Sequence, residues 1–215
     1  MSDTGLPQPR KRPRQQRSQT LVRAIREACL QILETEGPDR LTTQRIADIA
    51  GINIASLYQY FPNKEAVLAE VYEERMAGLV AQTESEFARI HALTDQGLEA
   101  TLAAIIDLEV ALLLQLYRMY PDFYLQYQQS LDIRARVNEL TQSLANPSWE
   151  QWFPGFLRRH RAQLRKGDID TMAFIARRSL DACLQSALAE RPLALDDPAF
   201  RREVLTLLLN YLLHR

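Results

Sequence analysis

A chain of 215 residues with 47% apolar content can bury a sizeable core and hold a small domain beside a larger one. Its net charge of −1 is close to neutral but unevenly spread, since residues 1–64 carry ten Lys or Arg against six Asp or Glu and residues 65–215 carry sixteen against twenty-one. Cys29 and Cys183 stand alone without CxxC spacing, which excludes a disulfide framework and points inside the cell; the apolar runs at 110–114 and 207–209 fall short of the roughly 18 residues that span a bilayer, so a soluble, cytoplasmic protein is expected.

Residues 1–17 are expected to be a disordered basic arm. Arg10, Lys11, Arg12, Arg14 and Arg17 alternate with Pro7, Pro9 and Pro13, a composition unable to build a packed core. No apolar stretch follows the charges, so the segment does not read as a secretory signal. It suits either an arm laid along DNA, with affinity that falls steeply with salt, or a solvated tail.

An apolar helix over 21–33 follows, then Gly37. Residues 41–64 read LTTQRIADIAGINIASLYQYFPNK, the outline of a helix-turn-helix. Thr42 can cap a helix that buries Ile46, Ile49 and Ala50. Gly51 can take the left-handed conformation that stops this helix, with Ile52 anchoring the turn. Asn53 caps a second helix on which Leu57 and Phe61 form a four-residue apolar stripe, leaving Ile54, Ala55, Ser56, Tyr58, Gln59 and Tyr60 to face outward or sideways. Pro62 ends it and Asn63 can cap the next, placing Lys64 in a first turn where the helix dipole disfavours a cation. An anion nearby, such as a DNA phosphate, would remove that conflict.

These residues resemble the DNA-binding domain of the TetR family of bacterial transcriptional regulators. The resemblance covers roughly residues 18 to 75 and rests on the 21–33 helix, Gly37, Leu41-Thr42-Thr43, Ile46-Ala47, Ala50-Gly51-Ile52, Ser56 through Phe61 and Asn63-Lys64-Glu65. Tyr60 departs from the family pattern, where His is frequent, but still offers a hydroxyl. The resemblance implies that Ile54, Ala55, Ser56 and Gln59 face base edges, and that Thr43, Gln44, Tyr58, Tyr60 and Lys64 hold phosphates. Packing of the Tyr58 ring against the first helix is the alternative for that residue.

Beyond residue 64 the pattern is helical throughout. Gly is scarce, and breaks are marked by Gly97, Pro121, Pro147, Pro154, Gly167, Pro192 and Pro198. The expected fold is all-α, about nine helices, with a three-helix DNA-binding head at 18–64 and a helical effector-binding and dimerisation domain at 65–215. A long helix should start near Asn63 and pass Val67, Val71, Leu79 and Val80 towards Ile90. Leu98 to Tyr117 is apolar on more than one face and reads as a central helix, its Asp107 and Glu109 expected at solvent rather than in a cavity.

Rings cluster around Pro121 and around Pro147 and Pro154. Family members commonly hold a small effector in this body, so Tyr117, Tyr120, Phe123, Tyr124, Tyr127, Trp152, Phe156 and Phe174 are candidates to line a pocket for a hydrophobic ligand, against ordinary core packing. The basic stretch Arg158, Arg159, His160, Arg161 and Arg165 reads as a solvated face. The final helix is apolar nearly all round, and Ala173, Ala176, Leu180, Cys183 and Ala187 on the preceding helix form a stripe permitting close approach, so a homodimer through these two helices is expected. Such a dimer would present two readers to a near-palindromic site, with half-sites about 34 to 36 Å apart.

The resemblance implies a repressor released from DNA when an effector changes the body, with activation as the other sign. Two alternatives stand beside it: the same head on a body serving only dimerisation or protein docking, and a helical enzyme. For the enzyme, His91, His160 and His214 lack metal-ligand spacing and no GxSxG or Gly-rich phosphate loop is present. No catalytic group, cofactor or metal is expected.

Overall fold

The structure is a computed structural model and describes residues 5–12, 15–128, 130–131 and 149–214. The side chains of 80–85, 87 and 149–151 lie outside the description. Pro13, Arg14 and Pro147, and the side chains of Val80 and Trp149, which entered the sequence reading, therefore lie outside the described residues.

The described residues form nine α-helices and no β-strand: α1 (Gln16–Thr35), α2 (Thr43–Ile49), α3 (Ile54–Tyr60), α4 (Lys64–Leu93), α5 (Leu98–Tyr117), α6 (Pro121–Tyr127), α7 (Trp149–Arg159), α8 (Ile169–Glu190) and α9 (Pro198–Leu212). Short 3₁₀ turns link several of them, and Leu164 and Leu213 make an isolated antiparallel bridge. Pro121 and Pro198 each occupy a first helical turn, where the missing N–H has no intrahelical partner to lose. Pro154, read from sequence as a break, instead lies inside α7.

The chain divides into two compact units, residues 1–79 with 115–132 and residues 80–114 with 133–215. The boundary expected at residue 64 falls at the first residue of α4. Arg17, expected in the arm, is helical within α1.

In the first unit α1 buries Val22, Ile25, Cys29 and Ile32, a three-and-four spacing that makes one apolar stripe. The interior location of Cys29 pushes its thiol up to about 12, because burial penalises the thiolate. Arg26 reaches from α1 to Glu70 and Glu74 of α4 at 3.8 and 3.3 Å. Along α4, Ala66, Val67, Leu68, Val71, Tyr72, Met76 and Leu79 are buried. The hydroxyl of Tyr72 lies 3.1 Å from the carbonyls of both Leu116 and Tyr120. Leu116 lies in the last turn of α5 and Tyr120 caps the start of α6, so this hydroxyl joins the two helix ends to α4. Desolvation raises the Tyr72 phenol well above its ordinary value.

In the second unit α5 has 20 residues and a mean hydropathy of 1.7, long and apolar enough by length and composition to cross a membrane. Short apolar runs alone had concealed this window. Leu102, Ile105, Ile106 and Val110 are buried within the protein, so much of the helix's apolar surface is covered by other side chains. Thr101, itself buried, donates to the Leu93 and Gly97 carbonyls. Asp107 faces outward as expected and pairs with Arg201 of α9 at 2.9 Å; Glu109 is half-buried.

Two expectations about this unit need correction. Ala173, Ala176, Leu180 and Ala187 do form a stripe on α8, but they are buried in the protomer's own core, where α8 packs against both α7 and α9 and small residues allow close approach. Cys183 on the same helix is half-buried. The basic stretch is likewise only partly a solvated face. Arg158 pairs with Asp170 at 2.6 Å, and Arg161 donates to the carbonyls of Arg165 and Gly167. Arg165 donates from its side chain to Tyr211 O at 2.7 Å and from its backbone to Leu212 O at 2.9 Å, with its guanidinium over the Tyr211 ring. The C-terminal carbonyls of α9 explain this placement, since they attract cations.

Candidate nucleic-acid interface

The cap and turn signals in residues 41–64 have their counterparts in the structure. The Arg45 N–H donates to Thr42 Oγ1 at 3.0 Å, capping α2. Ile46 and Ala47 are fully buried under this helix, while Ile49 and Ala50, expected in the core, are half-buried. Gly51 has φ +66, the left-handed region that a Cβ disfavours, and Ile52 N–H returns to Ala47 O at 3.0 Å. Ile52 is half-buried rather than a full core anchor. Asn53 Oδ1 then accepts from Ala55 N–H at 2.8 Å, and Asn63 Oδ1 from Ala66 N–H at 2.9 Å.

α3 is the short helix these signals position. Leu57 and Phe61 are buried beneath it, 0% and 1% exposed. Opposite them Ala55, Tyr58 and Gln59 are exposed, with Ile54, Ser56 and Tyr60 half-buried. A seven-residue helix is about 10 Å long, comparable to the roughly 12 Å width of the major groove of B-DNA. The face therefore offers one amide, methyl and aliphatic groups and phenol rings on a rigid base, which suits contact with base edges flanked by phosphates.

The expected phosphate-holding residues occupy distinct environments. Thr43 Oγ1 and Tyr58 Oη lie 3.1 Å apart, joining the first turn of α2 to the outer face of α3. One hydroxyl proton serves this bond and the other is left to donate outward. Gln44 donates to Asp48 Oδ1 at 2.8 Å, so its amide is engaged within α2. Lys64 Nζ donates to the Leu41 carbonyl at 3.2 Å and lies 6.0 Å from the Tyr120 ring centroid. The conflict between its charge and the helix start thus has an internal answer, and two ammonium protons are left over.

Two contributors carried no local sequence signal. Arg45 grips Glu36, the residue that closes α1, with Nη2 at 2.6 Å and Nε at 3.1 and 3.2 Å from the carboxylate. Hydrogen bonding from Arg45, with its charge and that of Arg40, holds the Glu36 carboxyl below its ordinary value. Arg10 is the second: its N–H donates to Tyr60 O at 2.7 Å and its Nη1 to Tyr58 O at 3.2 Å. The arm was expected to be disordered up to residue 17, but at this point it is docked on α3.

The ring residues expected to line a ligand pocket are divided between the two units. Tyr117, Tyr120, Phe123, Tyr124 and Tyr127 belong to the first unit, where Phe123 packs on Tyr72 and Tyr127 with centroids 5.0 and 4.7 Å apart. Trp152 and Phe156 belong to the second and stack nearly parallel at 5.3 Å. Beside that stack, His91 lies 5.1 Å from Trp152 and His160 lies 4.9 Å from Phe156, with His160 Nε2 3.1 Å from Thr94 O. Burial and the Arg159 charge lower the His91 pKa. Phe174 joins neither cluster: it is 55% exposed on α8 with Arg178 over its ring.

Residues 25–71 match the family of bacterial regulatory proteins of the tetR type, and residues 98–212 match the tetracyclin repressor-like C-terminal domain. The fatty acid metabolism regulator protein of Bacillus subtilis (strain 168) is 24% identical over 123 residues, 57% of this chain, and the chain spans 61% of that relative's length. Among solved structures, a TetR-family regulator from Mesorhizobium loti aligns over 92% of this chain and 97% of its own at 16% identity, with a TM-score of 0.50. The fatty acid degradation regulator from Bacillus halodurans aligns over 95% and 100% at 18% identity, with a TM-score of 0.45.

Proposed function

The chain belongs to the tetR family of bacterial regulatory proteins and is a DNA-binding transcriptional regulator; from that premise we propose that it is a homodimeric, ligand-responsive repressor working in the cytoplasm. The observation that carries the reading is α3, held rigidly on buried Leu57 and Phe61 with Ala55, Tyr58 and Gln59 turned outward. Ile54, Ala55, Ser56 and Gln59 read base edges, and Thr43, Gln44, Tyr58, Tyr60 and Lys64 serve the phosphates. For Gln44 this requires release of its bond to Asp48.

A second copy covers the outer surface of the last two helices, where Phe174, Ile175 and Leu207 are 55%, 39% and 48% exposed. Large apolar side chains left at the surface on neighbouring elements favour such an interface. The paired readers then meet a near-palindromic operator with half-sites about 34 to 36 Å apart. A small hydrophobic effector favours a body conformation in which α4 carries the readers off that spacing, and a coupling of about 1 to 3 kcal/mol shifts DNA affinity roughly 5- to 150-fold. The name of the B. subtilis relative makes fatty acids the first effectors to try.

Selection of bound duplexes from a random pool tests the operator reading, with a two-fold motif as the expected product. A motif without symmetry, or a monomeric mass by light scattering, would overturn the dimer. Fatty acids of graded chain length should raise the melting temperature and release the selected duplex. If they and other hydrophobic metabolites do neither, the body serves dimerisation or docking alone.

A further inference from the structure

The last carbonyls of α3 lack partners within the helix. Arg10 takes two of them, Tyr60 O with its N–H at 2.7 Å and Tyr58 O with Nη1 at 3.2 Å. A cation at a helix C-terminus is favoured by the dipole, and Pro9 immediately before Arg10 restricts the backbone that delivers it. Arg10 is thereby committed to the protein. The next two residues, Lys11 and Arg12, are exposed and make no ion pair or hydrogen bond to a described residue. Two residues of chain span at most about 7 Å, so both charges are held close to the end of the helix that presents Tyr58 and Gln59.

Held there, they have a partner of obvious charge. A duplex carries one negative charge per about 1.7 Å of its axis, and phosphates line both edges of the groove a reading helix enters. We infer that residues 7–12 form a docked phosphate clamp, in which Arg10 is the positioning residue that pins the arm to α3 and Lys11 and Arg12 contact the DNA backbone beside the groove. This rests on the reading of α3 as the groove helix. The docking replaces chain disorder with a fixed offset, so the two charges act on binding without first having to be ordered.

The test uses the full chain and two duplexes, the selected operator and a random sequence, titrated from 50 to 200 mM salt. Lys11→Ala/Arg12→Ala should weaken binding to both duplexes and lower the slope of log affinity against log salt by about 0.9 per lost phosphate contact, nearly 2 for each arm. The gap from the parent protein should therefore shrink about tenfold per arm across that salt range. Arg10→Ala, which loses the Nη1 bond to Tyr58 O but keeps the backbone N–H bond to Tyr60 O, should give part of that flattening although Lys11 and Arg12 are retained, and Arg10→Lys should restore some of it. All three arm variants should melt with the parent protein, since their side chains are exposed.

An unchanged slope in the double variant, or a loss confined to A·T-rich flanks, would overturn the phosphate clamp. A full slope in Arg10→Ala would overturn its positioning role. Gln59→Ala separates the two levels: it should change sequence preference and leave the slope alone. If it does so while the arm variants do nothing, the reading of α3 stands and the clamp falls.

Discussion

Leu57 and Gln59 sit two residues apart on α3, one fully buried and one exposed, and their truncation should separate folding from recognition. Leu57→Ala removes three carbons from a site with no solvent contact. At about 0.8 kcal/mol per buried methylene, transfer alone accounts for roughly 2.4 kcal/mol, and the cavity left between α3 and α2 raises the total to about 3 to 5 kcal/mol. For a unit of roughly a hundred residues, each kcal/mol moves the melting temperature by about 4 to 8 °C, so a loss near 3 kcal/mol predicts a drop of roughly 12 to 24 °C in the transition of the first unit. Gln59→Ala should stay within about 0.5 kcal/mol of the parent protein and change which bases are preferred. Thermal unfolding by circular dichroism, and anisotropy with a labelled duplex at a temperature well below the transition, read the two effects separately. A Leu57→Ala protein that melts with the parent, or a Gln59→Ala protein that melts early, would refute the assignment of inner and outer faces to α3.

Other perturbations address single contacts. Tyr72→Phe strips the hydroxyl from the Leu116 and Tyr120 carbonyls, which keep backbone donors from Met119 and Tyr124; losing one net hydrogen bond should lower stability by about 0.5 to 1.5 kcal/mol, measurable by urea titration. Glu36 has a folded pKa below its unfolded value, so its pairing with Arg45 stabilises the protein above the ordinary carboxyl range and fades as pH falls through the lowered value; melting curves from pH 6 to 3 should show Glu36→Gln losing that part of the slope. Cys29, buried with its thiol pushed up to about 12, should resist iodoacetamide at pH 8 in the native protein and react once denatured, as mass spectrometry of the labelled peptide would show.

The head was legible in sequence because its determinants are local. Thr42, Gly51, Asn53 and Asn63 act within three or four residues of themselves, through a cap or a positive φ, and Leu57 and Phe61 declare the inner face by spacing alone. The same logic placed α5 at Leu98–Tyr117. What escaped the reading involves partners distant in sequence and often made of backbone. Arg10 meets carbonyls 48 and 50 positions away, and Arg165 meets those of α9; a carbonyl has no residue identity, so no motif announces it. The stripe on α8 failed for a related reason. Small residues at helical spacing signal close approach by some neighbour, and here the chain's own α7 and α9 supply that approach.

The basic residues show how one composition can take three roles. Arg10 and Arg165 bind helix-terminal carbonyls, where the helix dipole and unpaired C=O groups reward a fixed cation, while Arg161 ties the carbonyls of Arg165 and Gly167 in the loop before α8. Arg26, Arg45, Arg158 and Arg201 pair with carboxylates, and a pair as exposed as Arg158 with Asp170 contributes little by itself. Lys11 and Arg12 do neither. Lys11 and Arg12, with exposed Arg17, Arg23 and Arg40 and the leftover protons of Lys64, are cations of the first unit open to an outside anion, so the salt dependence of DNA binding should concentrate among them. With α3 as the groove helix we propose, sequence preference would belong to its nearly uncharged face. Affinity and specificity would then be carried by different residues, and mutation should move one without the other.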